Sequence, residues 1–447
     1  MGLKILIIGS GGREHALSWL ISKSHRDVEK IYVMPGNAGT LSEKNVFNIE
    51  CNINNHQSVL DFALSNKIDL TIVGPEVPLV EGISDLFEKN YLNIFGPKKY
   101  FSQLEGSKVF SKNFMNSNNL PTAEYNEFDN SEKAKAYLDK KKMPIVIKYD
   151  GLASGKGVDI CETLVDAKKS VDNLLKPNEK IIIEEFLKGI ELSAIYVCNP
   201  NAYKQTIGLT WIKDYKSRDE FNSGPNTGGM GAITHPFCSY KKNDVYSLNV
   251  EIEKIIIKTL VAINNSSGTT SKYNGFMYLG LMISAMNDKP YLLEYNCRMG
   301  DPETQNIALY LEKNNVDFLD LIGFDNEKYP DNFNLSFIDD NNYSGFCCTI
   351  VLAAKGYPDS PVKDFYLDLS NIEDNDSVKI FHAGTKVSKG AIKVTGGRIL
   401  TVNAFDNDKQ NAIDLAYENI YKIKAYNDSD LKNENNELIF FRTDIGS

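Results

Sequence analysis

At 447 residues and 50.1 kDa the chain is too long for one ordinary hydrophobic core, so domains of roughly 100 to 200 residues imply two to four of them. A composition of 42% hydrophobic and 24% charged residues is that of a soluble globular protein, and a net charge of -10 argues against nonspecific nucleic-acid binding, which needs a basic face. Seven cysteines without a C-x-x-C pattern point to reduced thiols and a cytoplasmic location; no basic-then-apolar leader is evident, and no apolar run approaches the ~20 residues of a membrane span.

In chain order, residues 4–8 form a short apolar run that predicts a buried strand, and a helix is expected from residue 14. Between them lies GSGGREH, a turn able to hold an anion on backbone N–H groups and a helix N-terminus. It is not a dinucleotide fingerprint, because Glu14 stands where G-x-G-x-x-G needs its third glycine. The next run, 31–34, leads into PGNAGT with no acid placed for a ribose. Strand and helix patterns alternate to residue 95, which predicts a parallel sheet covered by helices. The loops GSGGREH, PGNAGT and GPEVPLVEG can then line one crevice beyond the strand ends.

A helix is expected over 106–116, followed by the strand-like MPIVIKYD with Lys148 near its end. The stretch GLASGKG after it lacks Walker A spacing and reads equally as a mobile phosphate loop or a plain connector. In KIIIEEFLKGIELS a buried strand stops at Glu184 and Glu185; either backbone groups of Glu185 and Leu187 meet a base while Glu191 reaches a ribose, or the acids are merely solvated. The loop GPNTGGMGA, flanked by strands, is expected to close over substrate.

Alternation in PYLLEYNCRMGDPETQ puts Leu292, Glu294 and Asn296 on one strand face. A carboxylate and an amide oxygen two residues apart can share a hard cation, and magnesium fits because it needs few protein ligands. Asp301-Pro302 predicts a helix start with Asp301 as cap, and Arg298 falls between the metal pair and that helix end. Cys297 is expected to pack, not react. The five histidines lack metal spacing, and only His15 is expected to belong to a site, the first loop. Composition shifts around 323–342, after which strands resume; Cys347 and Cys348 should face opposite sides of one of them. Residues 427–437 read as an exposed polar loop.

The ordered set GGREHAL, PGNAGT, GPE, LEGSK, VIKYDGLASGKGV, IEEFLKGIELS, GPNTGGMGA, LEYNCRMGDPETQ and HAGT resembles the glycinamide ribonucleotide synthetase family across essentially the whole chain. The resemblance implies an α/β protein: a Rossmann-like N-terminal domain (1–105), a central ATP-grasp domain (106–325) and a small α+β C-terminal domain (326–447). It implies ligation of glycine to 5-phosphoribosylamine with ATP and magnesium, or manganese, in purine biosynthesis. No nucleic acid or membrane is involved, and transient contact with neighbouring pathway enzymes is allowed. By motif, Lys108, Lys148, Gly155, Glu185, Leu187 and Glu191 would bind ATP, and Glu294 and Asn296 the metal. Gly11, Gly12, Arg13, Glu14, Asn37, Gly74, Pro75 and Glu76 would line the phosphoribosylamine crevice. Asp214, Arg298 and Asp301 would serve glycine and the acyl phosphate. One departure stands out: the family's D-H-K-R is here Asp214-Tyr215-Lys216-Ser217, with Arg218 one place along, and tyrosine cannot become the cation that histidine can. Met299 replaces the usual Phe, a milder change of packing.

Overall fold

The computed structural model describes residues 2–152, 157–202, 205–234, 242–324, 344–372 and 374–447. The N-terminal part is a five-stranded parallel sheet in the order Val46–Asn48, Val28–Pro35, Leu3–Gly9, Leu70–Val73, Ile94–Phe95. The unbroken apolar run of its central strand is explained by burial on both faces: Ile5 and Ile7 enter one core, Leu6 and Ile8 another. Strand order reverses between Leu3–Gly9 and Leu70–Val73, and the turns after these two strands leave side by side, with the Gly74 N–H donating to Ile8 O at 3.0 Å. A reversal of this kind opens a ligand crevice.

The central part pairs a four-stranded antiparallel sheet (Tyr125–Phe128, Ile181–Glu185, Ile145–Tyr149, Val158–Cys161) with a larger antiparallel one. The larger sheet runs Pro290–Asn296, Gly275–Ser284, Gly189–Cys198, Thr206–Asp214, Gly231–Thr234 and then, without interruption, Phe346–Ala354, Arg398–Asp406 and Val378–His382. Central and C-terminal parts are therefore welded through one hydrogen-bonded sheet. Cys347 and Cys348 do face opposite sides, one in the core shared with the N-terminal sheet and one in the C-terminal core. All six described cysteines are free.

Three sequence expectations change here. The helix expected over 106–116 is Lys108–Ser117, and a separate helix, Lys99–Gly106, precedes it, because Ser107 Oγ accepts the Phe110 N–H and caps a new start. The helix after Asp301 is Glu303–Lys313, and Asp301 does not cap it: Asp301 Oδ1 accepts from Gln305 Nε2 at 2.7 Å. Strand alternation fails at Leu293. The register passes from Gly280 opposite Glu294 to Leu281 opposite Leu292, so Leu293 is an extra residue, a bulge. Leu292 consequently lies in the same core as Tyr295, not on the face of Glu294 and Asn296.

His15 also leaves its expected place. Its Nδ1 accepts from the His382 backbone N–H at 2.8 Å, which assigns its proton to Nε2, 3.1 Å from Glu43 Oε1. Lys379 approaches the same carboxylate at 2.9 Å and lies over Trp19, so this cluster docks the C-terminal part on the first helix. Burial pulls both histidines below the usual range, His382 to about 3. Burial opposes ionisation of Glu43, but His15 and Lys379 draw it down to about 2. All three groups bind protons more readily when unfolded, so stability is fully present above the unfolded histidine value of 6.5 and falls on acidification, through the histidines first and then Glu43 below 4.5. The urea midpoint is expected to fall between pH 7 and pH 5, and His15→Asn to flatten part of that fall; an unaltered pH slope would contradict the assignment.

Candidate functional site

The first loop is organised around Glu14. Its Oε2 accepts the Gly11 N–H at 2.6 Å and its Oε1 the Arg13 Nε–H at 2.6 Å. Gly9, at φ +129°, and Gly74 carry no side chain where one would strike the Glu14 carboxylate, and Gly12 is likewise pressed against Gln305. The anion at this helix start is thus the chain's own, which alters the expected anion site: the loop presents a carboxylate and a guanidinium instead of bare N–H groups. Arg13 Nη1 donates to Met299 O at 3.1 Å, across to the segment after the strand Pro290–Asn296. Asn37 braces the loop, its Nδ2 donating to Ser10 O at 2.9 Å and His382 O at 2.7 Å and its Oδ1 accepting from Gly39. Pro75 precedes the short helix Glu76–Glu81 and aims Glu76 back at the crevice, where Arg298 lies 3.6 Å away.

Lysines gather on the opposite side. Lys108 Nζ donates to Gly151 O at 2.9 Å, and Lys148 Nζ to Leu293 O at 3.2 Å, the bulge residue of the strand Pro290–Asn296. Glu184 is not solvated: at 2% exposure it pairs with both Lys148 and Lys112. Glu185 is exposed, and its backbone N–H donates to Glu124 O at 2.9 Å. Leu187 is half-buried beside it. Gly155 lies outside the described residues, as does His235.

Glu294 and Asn296 stand together once the bulge has reset the strand. Burial opposes ionisation of Glu294, but Lys216, Lys148, Lys108 and Arg298 pull it down to about 2. Lys216, bonded to Glu191, has its ammonium 3.6 Å from Glu294 Oε1, so this oxygen already faces a cation. A carboxylate and an amide offering only oxygen match what magnesium takes from a protein. Arg298 joins the two halves of the site: Nη2 donates to Asn296 Oδ1 at 3.2 Å and pairs with Glu105 Oε1 at 2.9 Å, while Nε faces Glu76. Asp214 has a buried Oδ1 with no hydrogen-bond partner among the described residues. Burial lifts its carboxyl well above the usual range; Lys216 opposes this, and Glu303, Glu191 and Glu294 reinforce it.

GPNTGGMGA is packed as a brace in this structure. Thr227 donates its N–H and Oγ–H to Lys216 O at 2.8 and 2.7 Å, and Arg398 Nη1 donates to both Gly228 O and Asp301 O at 2.5 Å. Tyr215 and Lys216 point apart. Tyr215 is 2% exposed in the C-terminal core, its hydroxyl accepting the Gly446 N–H at 2.8 Å with Arg442 over the ring. Arg218 pairs with Asp219 through two 2.7 Å bonds and does not join Lys216. The departure from the family pattern at 215 therefore falls on the side away from the crevice. Cys297 packs, as expected: its N–H donates to Glu105 Oε2 at 2.7 Å and burial pushes its thiol far up.

Sequence reasoning missed Glu105, Lys112, Glu184, Lys216 and Arg398. Glu105 carried a signal, an acid beside Leu104 on a helix whose neighbours are buried; Arg398 carried none, since its partners lie 97 and 170 positions away.

Lys148 on one antiparallel sheet and Lys108 on the helix beside it, facing a carboxylate–amide pair on a second sheet behind a Rossmann-like crevice, define a nucleotide-dependent enzyme of the ATP-grasp class. Sequence profiles agree: residues 3–105 match the phosphoribosylglycinamide synthetase N domain, 106–304 its ATP-grasp (A) domain and 347–447 its C domain. Phosphoribosylamine–glycine ligase of Clostridium acetobutylicum is 41% identical over 451 residues, covering 99% of both chains, and that of Escherichia coli K12 is 40% identical over 422 residues, covering 93% and 94%. The crystal structure of phosphoribosylamine–glycine ligase from Thermotoga maritima superposes with a TM-score of 0.76 at 30% identity, covering 99% of this chain and all of that one. The biotin carboxylase domain of Hydrogenobacter thermophilus 2-oxoglutarate carboxylase shares the fold alone, with a TM-score of 0.70 at 14% identity over 95% of this chain and 91% of that one. The chain belongs to the phosphoribosylglycinamide synthetase family.

Proposed function

We propose that this crevice performs the family's reaction with the following division of labour among its residues. The enzyme joins glycine to 5-phosphoribosylamine in purine biosynthesis, at the expense of ATP. A carboxylate is a poor acyl donor, so ATP first phosphorylates glycine; the amine of phosphoribosylamine then attacks glycyl phosphate, a C–N bond forms, the C–O bond to phosphate breaks, and the amine proton passes to solvent. Glycinamide ribonucleotide, ADP and phosphate result.

In this reading Lys108 and Lys148 hold the phosphates, the Glu185 carbonyl and Leu187 N–H the base, Glu191 the ribose, and Gly155 is given to ATP by its motif. Glu294 and Asn296 hold magnesium, or manganese, which when bound supplies charge stabilisation to the transferring phosphoryl group. The orphan Asp214 Oδ1 is an acceptor suited to the glycine ammonium. Arg298 and Asp301 flank the acyl phosphate, and Gly11, Gly12, Arg13, Glu14, Asn37, Gly74, Pro75 and Glu76 form the phosphoribosylamine side. The domains are taken as 1–105, 106–325 and 326–447. A cytoplasmic location belongs to the same reading; no helix among the described residues is long and apolar enough to cross a membrane.

The observation that carries this assignment is Arg298, which touches Asn296 of the metal pair and Glu76 and Glu105 of the N-terminal part, making nucleotide and sugar sides one site. The test is ADP release with magnesium and ATP, with phosphoribosylamine generated in the assay. Release that requires both glycine and phosphoribosylamine, with glycinamide ribonucleotide as product, is expected; release driven by another acid or amine would overturn the substrate assignment.

A further inference from the structure

Of the lysines around the nucleotide side, Lys112 has no part in the reading above, yet it is almost wholly buried. It follows Lys108 by one helical turn on the helix Lys108–Ser117 and is 2% exposed. Its Nζ lies 2.6 Å from Glu184 Oε2 and donates to Thr122 Oγ1 at 2.6 Å; Thr122 Oγ1 in turn donates to Leu292 O at 2.7 Å. The other oxygen of Glu184 bonds Lys148. One buried carboxylate is thus shared by two ammonium groups, of which Lys148 is the one that the reading above also gives to a phosphate.

This sharing answers a physical difficulty. Were Lys148 the only partner of Glu184, its turning to a nucleotide phosphate would strand a buried carboxylate, and an uncompensated buried charge is costly. With Lys112 in place the carboxylate keeps a counterion throughout. We propose that Lys112 is a positioning residue, the resident counterion of Glu184 that frees Lys148 for the ATP phosphates. The inference rests on Lys148 being an ATP contact. Burial lowers Lys112 to about 8, with Glu184 opposing the shift, so it still carries its proton at neutral pH. Burial works against ionisation of Glu184 too, yet Lys148 and Lys112 hold it below the usual carboxylate value.

The experiment is calorimetric titration of the full chain with Mg-ATP, beside thermal melts. Lys112→Met should weaken binding about tenfold or more, because Lys148 is then held by Glu184, and adding Glu184→Gln should restore it to within about threefold of the parent, an epistasis that loss of core packing would not produce. Lys112→Arg, which keeps the charge, should bind like the parent. Parental affinity in Lys112→Met, or equal weakening in the single and double variants, overturns the proposal. Should Lys112→Met fail to fold, Glu184→Gln alone decides: affinity within about threefold of the parent, or tighter, supports the counterion role, and a tenfold loss overturns it. Lys148→Met separates the two levels: if it binds Mg-ATP like the parent, the ATP assignment of Lys148 is what fails; if it binds weakly while Lys112→Met is normal, the counterion role alone fails.

Discussion

Replacing Glu294 with Gln is expected to lower kcat by roughly 10²- to 10³-fold, the scale for removing one group that stabilises charge in a phosphoryl or acyl transfer, while the melting temperature stays close to that of the parent. Glutamine keeps the volume and one oxygen but removes the charge. In the parent that charge is balanced by Lys216 at 3.6 Å and, more distantly, by Lys148, Lys108 and Arg298, which together hold the carboxyl at about 2. Without it, four cations face a neutral amide and, on the assignment proposed above, the metal loses its charged protein ligand. ADP release measured against magnesium concentration is the check: the variant should need more magnesium and still not reach parental turnover. Near-normal turnover at ordinary magnesium would remove Glu294 from the metal site.

The parts of the fold that could be read from sequence are those whose cause is local. Residues 4–8 read as a buried strand because Ile5, Leu6, Ile7 and Ile8 all meet hydrophobic core, whichever face they are on. The three loops of the first sheet were recognisable because glycine and proline punctuate strand ends, and the site residues inside them came with the motif. The meaning of the glycines was less accessible. Gly9 read as part of an anion-holding turn and Gly74 as part of a crevice lining, whereas both clear space for Glu14, a reason visible only when both strands are side by side.

What stayed hidden depends on partners distant in the chain. The bulge at Leu293 is set by register against Gly275–Ser284, with Thr122 bridging to Leu292, and no alternation pattern encodes it. Glu184 read as a solvated acid because its counterions come from a helix and a strand 72 and 36 residues earlier. His15 sits within the first motif, yet its ring turns to His382, 367 positions on. Composition could bound the charge of the molecule but not the pairing of those charges, which tertiary contact alone decides.

The same separation of local and distant causes makes Lys216 the second large effect. Tyr215 and Lys216 are neighbours with opposite duties, one sealed into the C-terminal core and the other set among Glu191, Asp214 and Glu294. Lys216→Met is expected to lower kcat/KM by roughly a hundredfold, or more, as electrostatic preorganisation of the site is lost. It should also leave a mark on the pH profile. Lys216 is the first of the cations that hold Glu294 down against burial, so its removal raises the pH at which Glu294 takes a proton, and the acid limb of the kcat/KM profile moves upward. Tyr215→His, changing the other face, should leave that limb where it is. An acid limb that stays put in Lys216→Met would mean that Lys216 does not set the ionisation of Glu294, and its contact with Glu191 would then have to be its whole role.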